Sequence, residues 1–560
     1  MPQRLLQAAT TGLRGPFIAA LLAFLVGLPC AMIVPPLDRD ESRFIQASTQ
    51  MLETGDFINI SYQDDPRHKK PVGIHWLQAA SASLTSAEGA RDVLAYRWPS
   101  LLGAALAAFA LTWGAGHLFD RRRGLKAGII FGVSFLLSTE AFIAKTDAVQ
   151  AGLITLFMAA LAIIYTRWKN LPPDAEKPKL FKEKFIFWAA LAGSILVKGP
   201  IGPMVFAAST LTLLAWDFRA KNGNAQWFKH LGWSWGILLV ILLVGPWAIA
   251  ITIATDGSFW QTSIGDDLAP KLVSGDEGHF AWPGTHTLLL PLLFFPGSFL
   301  LGGALQAALS RFREPAIRFA ICWFLPAFLI FEISPTKLVH YPLPTYGGLA
   351  ILAAVSLSMP LKTWAKVMNT VLGLFGGLII SLLAIYGLSE FGNSSVTPLV
   401  TLTVASSLLV SGLGAFFLWR HHKRTGLLCL LGAGIAAHLC FVTTLSQLKP
   451  LWVTQSLEQA LIDTKLDPRQ GLHPGPVAIL GYEEPSFVFA MGTKTELAET
   501  VSEAIAALKQ NRPVYVESRF ENEFLAALHA GRISARRVTT VEGHNYSNGK
   551  AVTLTLYQSQ

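Results

Sequence analysis

Two neighbouring carboxylates, Asp40 and Glu41, stand a few residues beyond the first long apolar run, and Arg43 follows them. A carboxylate in that place could take a proton from an acceptor hydroxyl, which is general-base chemistry. It could equally be an exposed acid at a helix N-terminus, where the helix dipole favours it. The same loop continues into His68-Lys69-Lys70-Pro71. An ammonium group at a membrane surface is a natural partner for a lipid phosphate, although a lone interfacial lysine usually is only that. Asp147 sits in the short turn Ala144-Lys-Thr-Asp-Ala148 between two apolar spans. It is either a second acid on the same face or, with Thr146, a cap for the helix that follows. Arg97 begins the second span, and Lys198 lies in Lys198-Gly-Pro200. Lys337, His340 and Tyr341 fall in the loop Ser334–Pro342. These groups could together ring a phosphate, while snorkelling at helix ends explains any one of them alone. His279, in Asp276-Glu-Gly-His, could bind a metal or a substrate, but a single loop histidine more often does neither.

Such charges need a scaffold, and the composition names it. Of the 560 residues, 52% are hydrophobic and only 14% charged, with a mean hydropathy of +0.44. Soluble domains carry about 25% charged residues, so most of this chain is an integral membrane protein. The net charge of +9 then reflects basic loops that set orientation, not a nucleic-acid partner. With about 20 apolar residues needed per helix, the chain reads as about thirteen spans, the first at 16–34 and the last at 426–446. The segments 198–201 would join two short spans into a broken hairpin. Basic loops at 120–126, 167–184, 217–221, 311–313, 362–366 and 420–424 belong on the cytoplasmic side. The loop 35–97 and everything after 447 then belong outside, with the N-terminus inside. The first apolar run is long for a signal peptide and lacks a clear cleavage site, so it is an uncleaved span. Cys30, Cys322, Cys429 and Cys440 all fall in apolar spans, as small buried residues.

Two further elements shape the first outer loop. Phe44, Ile45, Ala47, Ser48, Met51 and Leu52 are spaced for an amphipathic helix lying on the membrane surface. A second interfacial helix is expected over 74–84, with Trp76 as its anchor. Beyond 449 the composition changes. Strands are expected at 476–481, 513–517 and 552–557, with helices at 499–509 and 520–530, which makes residues 449–560 a small α/β domain on a membrane domain of residues 1–448.

There is no HExxH, no paired CxxC, no GxGxxG before a helix and no Walker loop, so no soluble nucleotide donor is supported. The residues do resemble a known family. Asp40-Glu41-Ser-Arg43, Met51-Leu-Glu-Thr-Gly-Asp56, Lys70-Pro71 with His75-Trp76, Arg97-Trp-Pro99, Thr146-Asp147, Lys198-Gly-Pro200, and Lys337 with His340-Tyr-Pro-Leu-Pro344 are similar, in order, to the bacterial lipid A aminoarabinose transferases. That family lies within the GT-C glycosyltransferases, which include the protein O-mannosyltransferases. The resemblance implies an enzyme of the bacterial inner membrane. Its donor would be an undecaprenyl-phosphate sugar, and its acceptor lipid A or a related envelope glycolipid. Asp40 would be the principal catalytic carboxylate, with Glu41 beside it and Asp147 as a second acid. Arg43, Lys69, Lys70, Trp76, Arg97, Lys198, His279, Lys337, His340 and Tyr341 would line the substrate. A divalent cation is left open and no nucleotide cofactor is implied. A protein acceptor is the alternative; a transporter fits less well, because ionisable groups are nearly absent from the spans. One departure stands out. The family usually has Glu before the Lys-Pro pair, where Lys69 stands here. That weakens a metal at this spot and points to a sugar of negative charge, such as a uronate.

Overall fold

In hydrocarbon an apolar run can satisfy its backbone only as a helix. The computed structural model is accordingly a helical bundle, closed at one end by a small mixed sheet. It describes residues 11–36, 39–87, 89–172, 174–219, 225–270, 281–392, 398–420, 422–471 and 473–560. The bundle begins with α1 (Arg14–Ile33). The first long loop then holds α2 (Arg39–Thr54), a hairpin of β1 (Ser61–Tyr62) and β2 (Asp65–Pro66), and α3 (Gly73–Thr85). Next come α4 (Val93–Leu118), α5 (Arg121–Gly132), α6 (Phe135–Ala141), α7 (Thr146–Lys169), α8 (Phe181–Lys198), α9 (Ile201–Arg219) and α10 (Trp233–Ala254). The rest of the bundle is α11 (Thr285–Leu293), α12 (Leu301–Arg311), α13 (Pro315–Ile333), α14 (Tyr346–Ser356), α15 (Thr363–Phe391), α16 (Pro398–Trp419) and α17 (Lys423–Leu445).

Every expected span position is helical. Among the described residues, nine helices are long and apolar enough to cross a membrane. Two bent pairs, α5 with α6 at 63° and α11 with α12 at 103°, raise that to eleven. The other two positions hold the short α14 and α8, which carries Lys182, Glu183, Lys184 and Lys198 at its ends. This is the multi-pass membrane fold that the composition requires.

Helix α7 is the buried axis of the bundle. It meets α4 backbone to backbone. A Cβ on Gly103 would lie 2.6 Å from Val149 Cα, and one on Gly152 would lie 2.5 Å from the Gly103 carbonyl oxygen. Small residues allow such close approach where the hydrophobic effect does not drive helices together. At the far end of the bundle, buried Asp217 of α9 takes Lys169 Nζ at 2.7 Å and accepts from Trp227 Nε1 at 2.9 Å. Arg318 of α13 lies 3.7 Å from the same carboxylate. That end is therefore tied, so the positions of α7, α9 and α13 are fixed relative to one another.

The C-terminal domain starts with α18 (Val453–Asp463). It continues through β3 (Ala478–Leu480), α19 (Pro485–Met491), β4 (Glu496–Ala498), α20 (Val501–Lys509), β5 (Val514–Glu517), α21 (Ser518–Ala530), β6 (Ala535–His544) and β7 (Ala551–Ser559). The sheet order is β4-β3-β5-β7-β6, with β3 parallel to both neighbours and β7 antiparallel to both of its own. Its two layers of apolar side chains lie on the two faces of the sheet. The strand and helix pattern read from sequence is present. Strands β4 and β6 were not foreseen: β4 has three residues, and β6 reads Ala-Arg-Arg-Val-Thr-Thr-Val-Glu-Gly-His, which is too polar to signal a strand.

Helix α2 departs from expectation. Its apolar residues Phe44, Ile45, Ala47 and Met51 are buried, and only Leu52 of that set is exposed. The helix does not rest on lipid; it is packed between α3 and α19. The polar side that should have faced water is covered by the sheet domain. Gln46 Nε2 donates to Thr493 Oγ1 at 2.7 Å, and Gln63 Nε2 donates to the Thr495 carbonyl at 2.7 Å. Arg91 donates to Gln46 Oε1 at 2.7 Å, to the Phe489 carbonyl at 2.8 Å and to Thr493 Oγ1 at 3.0 Å, and it pairs with Glu53. Arg39 pairs with Glu484 at 3.2 Å. Charge-assisted contacts of this kind are each worth about 1.5–3 kcal/mol. Arg91→Ala should therefore loosen the domain from α2. Hydrogen exchange should rise over Arg39–Thr54 and stay unchanged in α7; unaltered protection of α2 would show that Arg91 does not hold it.

Candidate active site

Adjacent residues on an α-helix point about 100° apart, and this separates the two carboxylates of α2. Glu41 turns inward and is fully buried. Arg97 Nε donates to Glu41 Oε1 at 2.8 Å and Nη2 to Oε2 at 3.0 Å, a bidentate pair with both side chains at 0% exposure. Arg97 also donates to the carbonyls of Ala31, Val34 and Pro35, and Glu41 Oε1 accepts from the Ala144 backbone N–H at 2.8 Å. The pair thus joins the end of α1, the start of α2, α4 and the turn before α7. These are structural contacts, remote in kind from the catalytic and substrate roles that the resemblance implied for Glu41 and Arg97.

Asp40 turns the other way, and its side chain stays 51% exposed. Arg67 Nη2 lies 3.3 Å and Arg43 Nη1 3.7 Å from its Oδ1. Crowding by protein atoms pushes the Asp40 pKa up, but Arg67, Arg43 and Lys145 outweigh it and hold the carboxyl below its usual range. Asp40 is therefore ionised.

Behind it lies a second cluster. Lys198 pairs with Asp147, and His340 Nε2 is 3.6 Å from Asp147 Oδ1. Lys145 Nζ is 3.4 Å from Glu140 Oε2 and 3.5 Å from His340 Nδ1. Burial, with Lys145 and Lys198 alongside, outweighs Asp147 and holds the His340 pKa well below its usual value. The imidazole is neutral and can accept from Lys145. Asp147 lies in the first turn of α7, and the cap position is Lys145, with no side-chain cap bond. The capping alternative for Asp147 is thus not what the structure has. Lys198 reaches it because α8 ends at Gly199, whose φ of 59° lets the chain turn into α9. Tyr341 meets His340 edge to face with ring centres 5.3 Å apart, and Lys198 Nζ sits 5.8 Å from the centre of the Tyr341 ring.

The remaining expected residues spread out. Lys70 Nζ pairs with Asp267 Oδ2 at 2.5 Å. Lys69 is half-buried on the same loop. Lys337 donates to the carbonyls of Ala281 at 2.9 Å and Ser334 at 2.5 Å, holding its own loop. Trp76 Nε1 donates to the Phe57 carbonyl at 2.8 Å and so anchors a loop of protein. His279 lies outside the described residues. Four members of the site had not been singled out: Arg67, Glu140, Lys145 and Asp267. Glu140 had a signal, since a lone carboxylate inside an apolar run is expensive without a role.

Glu140, Asp147 and His340 each offer a ligand atom within 4.8 Å of the others. Two carboxylates and an imidazole suit a divalent cation. Yet Lys145 and Lys198 already neutralise both carboxylates, so a cation there would have to displace an ammonium group. Removing one partner of a buried pair costs about 3–5 kcal/mol. Glu41→Ala should therefore lower the yield of folded, detergent-stable protein, with its thermal transition moved down. Asp40→Asn should leave that transition nearly in place. Equal stability of Glu41→Ala and the parent would refute the anchoring role of the pair.

No family model matches the chain. Curated relatives do. The undecaprenyl phosphate-alpha-4-amino-4-deoxy-L-arabinose arabinosyl transferase of Shewanella sediminis is 27% identical over 330 residues, covering 58% of this chain and 57% of that protein. The protein of the same name from Pectobacterium atrosepticum is 25% identical over 395 residues, covering 68% and 65%. The chain thus matches less than two thirds of the length of these relatives. Among solved structures, ArnT from Cupriavidus metallidurans bound to undecaprenyl phosphate superposes with a TM-score of 0.74 at 16% identity, over 96% of this chain and 97% of that one. In fold, from the first span to the last strand, the chain is thus built like ArnT, and in sequence it is similar to the aminoarabinose transferases, as its motifs imply.

Proposed function

We propose that the chain is an integral membrane glycosyltransferase. It moves a sugar from undecaprenyl phosphate to lipid A or a related envelope glycolipid, on the periplasmic face of the inner membrane. The observation that carries this reading is Asp40: ionised, half-exposed, and flanked by cations at the end of a membrane bundle. The relatives are named for transfer from an undecaprenyl-phosphate sugar, and ArnT was crystallised with undecaprenyl phosphate, which supports the same donor here.

In the proposed step the acceptor hydroxyl oxygen attacks the anomeric carbon from the face opposite the phosphate. The bond from that carbon to the phosphate oxygen breaks, and its electron pair leaves on the polyprenyl phosphate. The hydroxyl proton passes to Asp40, and the anomeric centre inverts. A carboxylate of low pKa is a weak base, so the proton moves late, when the attacking oxygen has become acidic. The charge gained by the leaving phosphate is met by ammonium and guanidinium groups. Lys70 is well placed for that task. Asp267 presents to it the kind of anionic oxygen that a phosphate would present, so a donor phosphate could take that place on Lys70. Lys198 and Lys145 hold Asp147, Glu140 and His340 in one array, which forms the wall behind the base.

The first test is mass spectrometry of lipid A and core glycolipids from cells with the protein, without it, and with Asp40→Asn. Loss of the same glycosyl unit in the last two is expected. An unchanged glycolipid profile would count against a lipid acceptor and favour a protein acceptor. In vitro, Asp40→Asn should lower kcat by about 10²–10⁴-fold, the usual contribution of a general base. The pH profile gives a separate check. The base must be unprotonated, so the acid limb of the parent lies below the ordinary carboxylate value of 3.8. Arg67→Ala removes the nearest cation, and the limb should move to higher pH. A limb that stays in place would mean that Asp40 is not the group that titrates.

A further inference from the structure

Two ionisable residues at the ends of apolar helices take no part in the step above. His286 lies in the first turn of α11 and Glu332 in the last turn of α13, and both are buried, at 0% and 6% exposure. A carboxylate in that place is expensive unless its oxygens are met. Glu332 Oε1 accepts from the backbone N–H of Gly284, the residue that caps α11. The other oxygen, Oε2, lies 3.4 Å from His286 Nδ1. Across the same ring, His286 Nε2 lies 3.0 Å from the Leu338 carbonyl oxygen. A carbonyl can only accept, so Nε2 carries a hydrogen. Nδ1 and Oε2 are both buried, and among the described residues neither has a hydrogen-bond partner elsewhere. One proton between them completes both groups. A chain of contacts then runs from Gly284 through Glu332 and His286 to Leu338.

The carbonyl at the end of that chain is a pivot. Leu338 O also accepts from the Tyr341 backbone N–H at 3.1 Å. The turn that this bond closes bears His340 and Tyr341, whose side chains meet the array behind Asp40. His340 Nε2 is 3.6 Å from Asp147 Oδ1, and Lys198 Nζ faces the Tyr341 ring at 5.8 Å. The backbone around the turn is clipped as well. Lys337 donates to the carbonyls of Ala281 and Ser334, and the Ala281 N–H donates to the Pro335 carbonyl at 3.3 Å. Those contacts join the two segments before the turn begins, whereas His286 reaches the turn itself.

We propose that His286 and Glu332 are positioning residues. Through one shared hydrogen they fix the Leu338 carbonyl, and with it the placement of His340 and Tyr341 against Asp147 and Lys198. The effect on the loop rests on the hydrogen-bond chain alone; the effect on rate rests on the glycosyl-transfer reading above.

The test compares the full-length protein in nanodiscs with His286→Ala, Glu332→Ala and Glu332→Gln. A glutamine amide can accept from Gly284 and donate to Nδ1, so it supplies the hydrogen without a carboxyl group. Hydrogen exchange over 336–343 should rise about tenfold in both alanine variants, the scale of one lost hydrogen bond, and stay within about twofold of the parent in Glu332→Gln. Transfer is measured from undecaprenyl phosphate-4-amino-4-deoxy-L-arabinose, the donor for which the relatives are named, to lipid A. In the alanine variants kcat per folded molecule should fall about tenfold or more, with donor KM changed by less than about threefold, as misplacement of the array requires. Glu332→Gln should restore it. Exchange in Glu332→Gln as fast as in Glu332→Ala would overturn the shared hydrogen, and unchanged exchange over 336–343 in His286→Ala would overturn the tether. Faster exchange with unchanged kcat would overturn the positioning role and leave the transfer reading intact. A parent silent with this donor would count against that reading alone, and the exchange data would then decide the proposal.

Discussion

The buried pair between Glu41 and Arg97 fixes the rest of the site. Four segments meet at it: the end of α1, the first turn of α2, the start of α4 and the turn that opens α7. Two charges withdrawn from water are costly unless their hydrogen bonds are fully met. Here the guanidinium spends its donors on one carboxylate and three carbonyls, and the carboxylate also takes a backbone N–H. Once Glu41 is locked, helical geometry leaves Asp40 one direction in which to point. The same lock sets the turn that carries Lys145 and Asp147. Asp40 and the array behind it are therefore registered to each other by a fully buried residue.

A second constraint comes from above. Helix α2 is walled by α3 on one side and by α19 and the 492–495 turn on the other. Arg91 stitches the two together. If Asp40 is the base proposed above, its helix has to be held still, because a displacement of about 1 Å can cost a hundredfold in rate. The sheet domain makes that helix part of a rigid body.

The membrane scaffold was legible in the sequence because a single physical requirement writes it: apolar side chains outside, backbone bonds inside. The spans from Arg14–Ile33 to Lys423–Leu445 follow from it. The polar parts were legible only as a set of residues, not as an arrangement. Asp40 and Glu41 are the same chemistry at adjacent positions, and only the pose of α2 decides which one is buried and which stays exposed. Arg97 and Lys337 read as phosphate ligands because they are cations at helix ends, yet their donors go to Glu41 and to backbone carbonyls. The amphipathic pattern of α2 was real, but a second protein surface can satisfy it as well as lipid does. Arg67 and Asp267 carry no local signal, since Arg67 joins the site by reaching Asp40 across 27 positions and Asp267 by reaching Lys70 across 197.

The contacts of α2 with the sheet domain span almost the whole chain. Arg39 bonds to Glu483 across 444 positions, Gln46 to Thr493 across 447 and Gln63 to Thr495 across 432. Synthesis proceeds from the N-terminus, so the helix bearing Asp40 is made early and waits for its cover until nearly the last residue has been added. A nascent chain can insert its helices one by one while α2 still lacks its cover, and the contacts that complete this part of the fold form only once the C-terminal domain has been made.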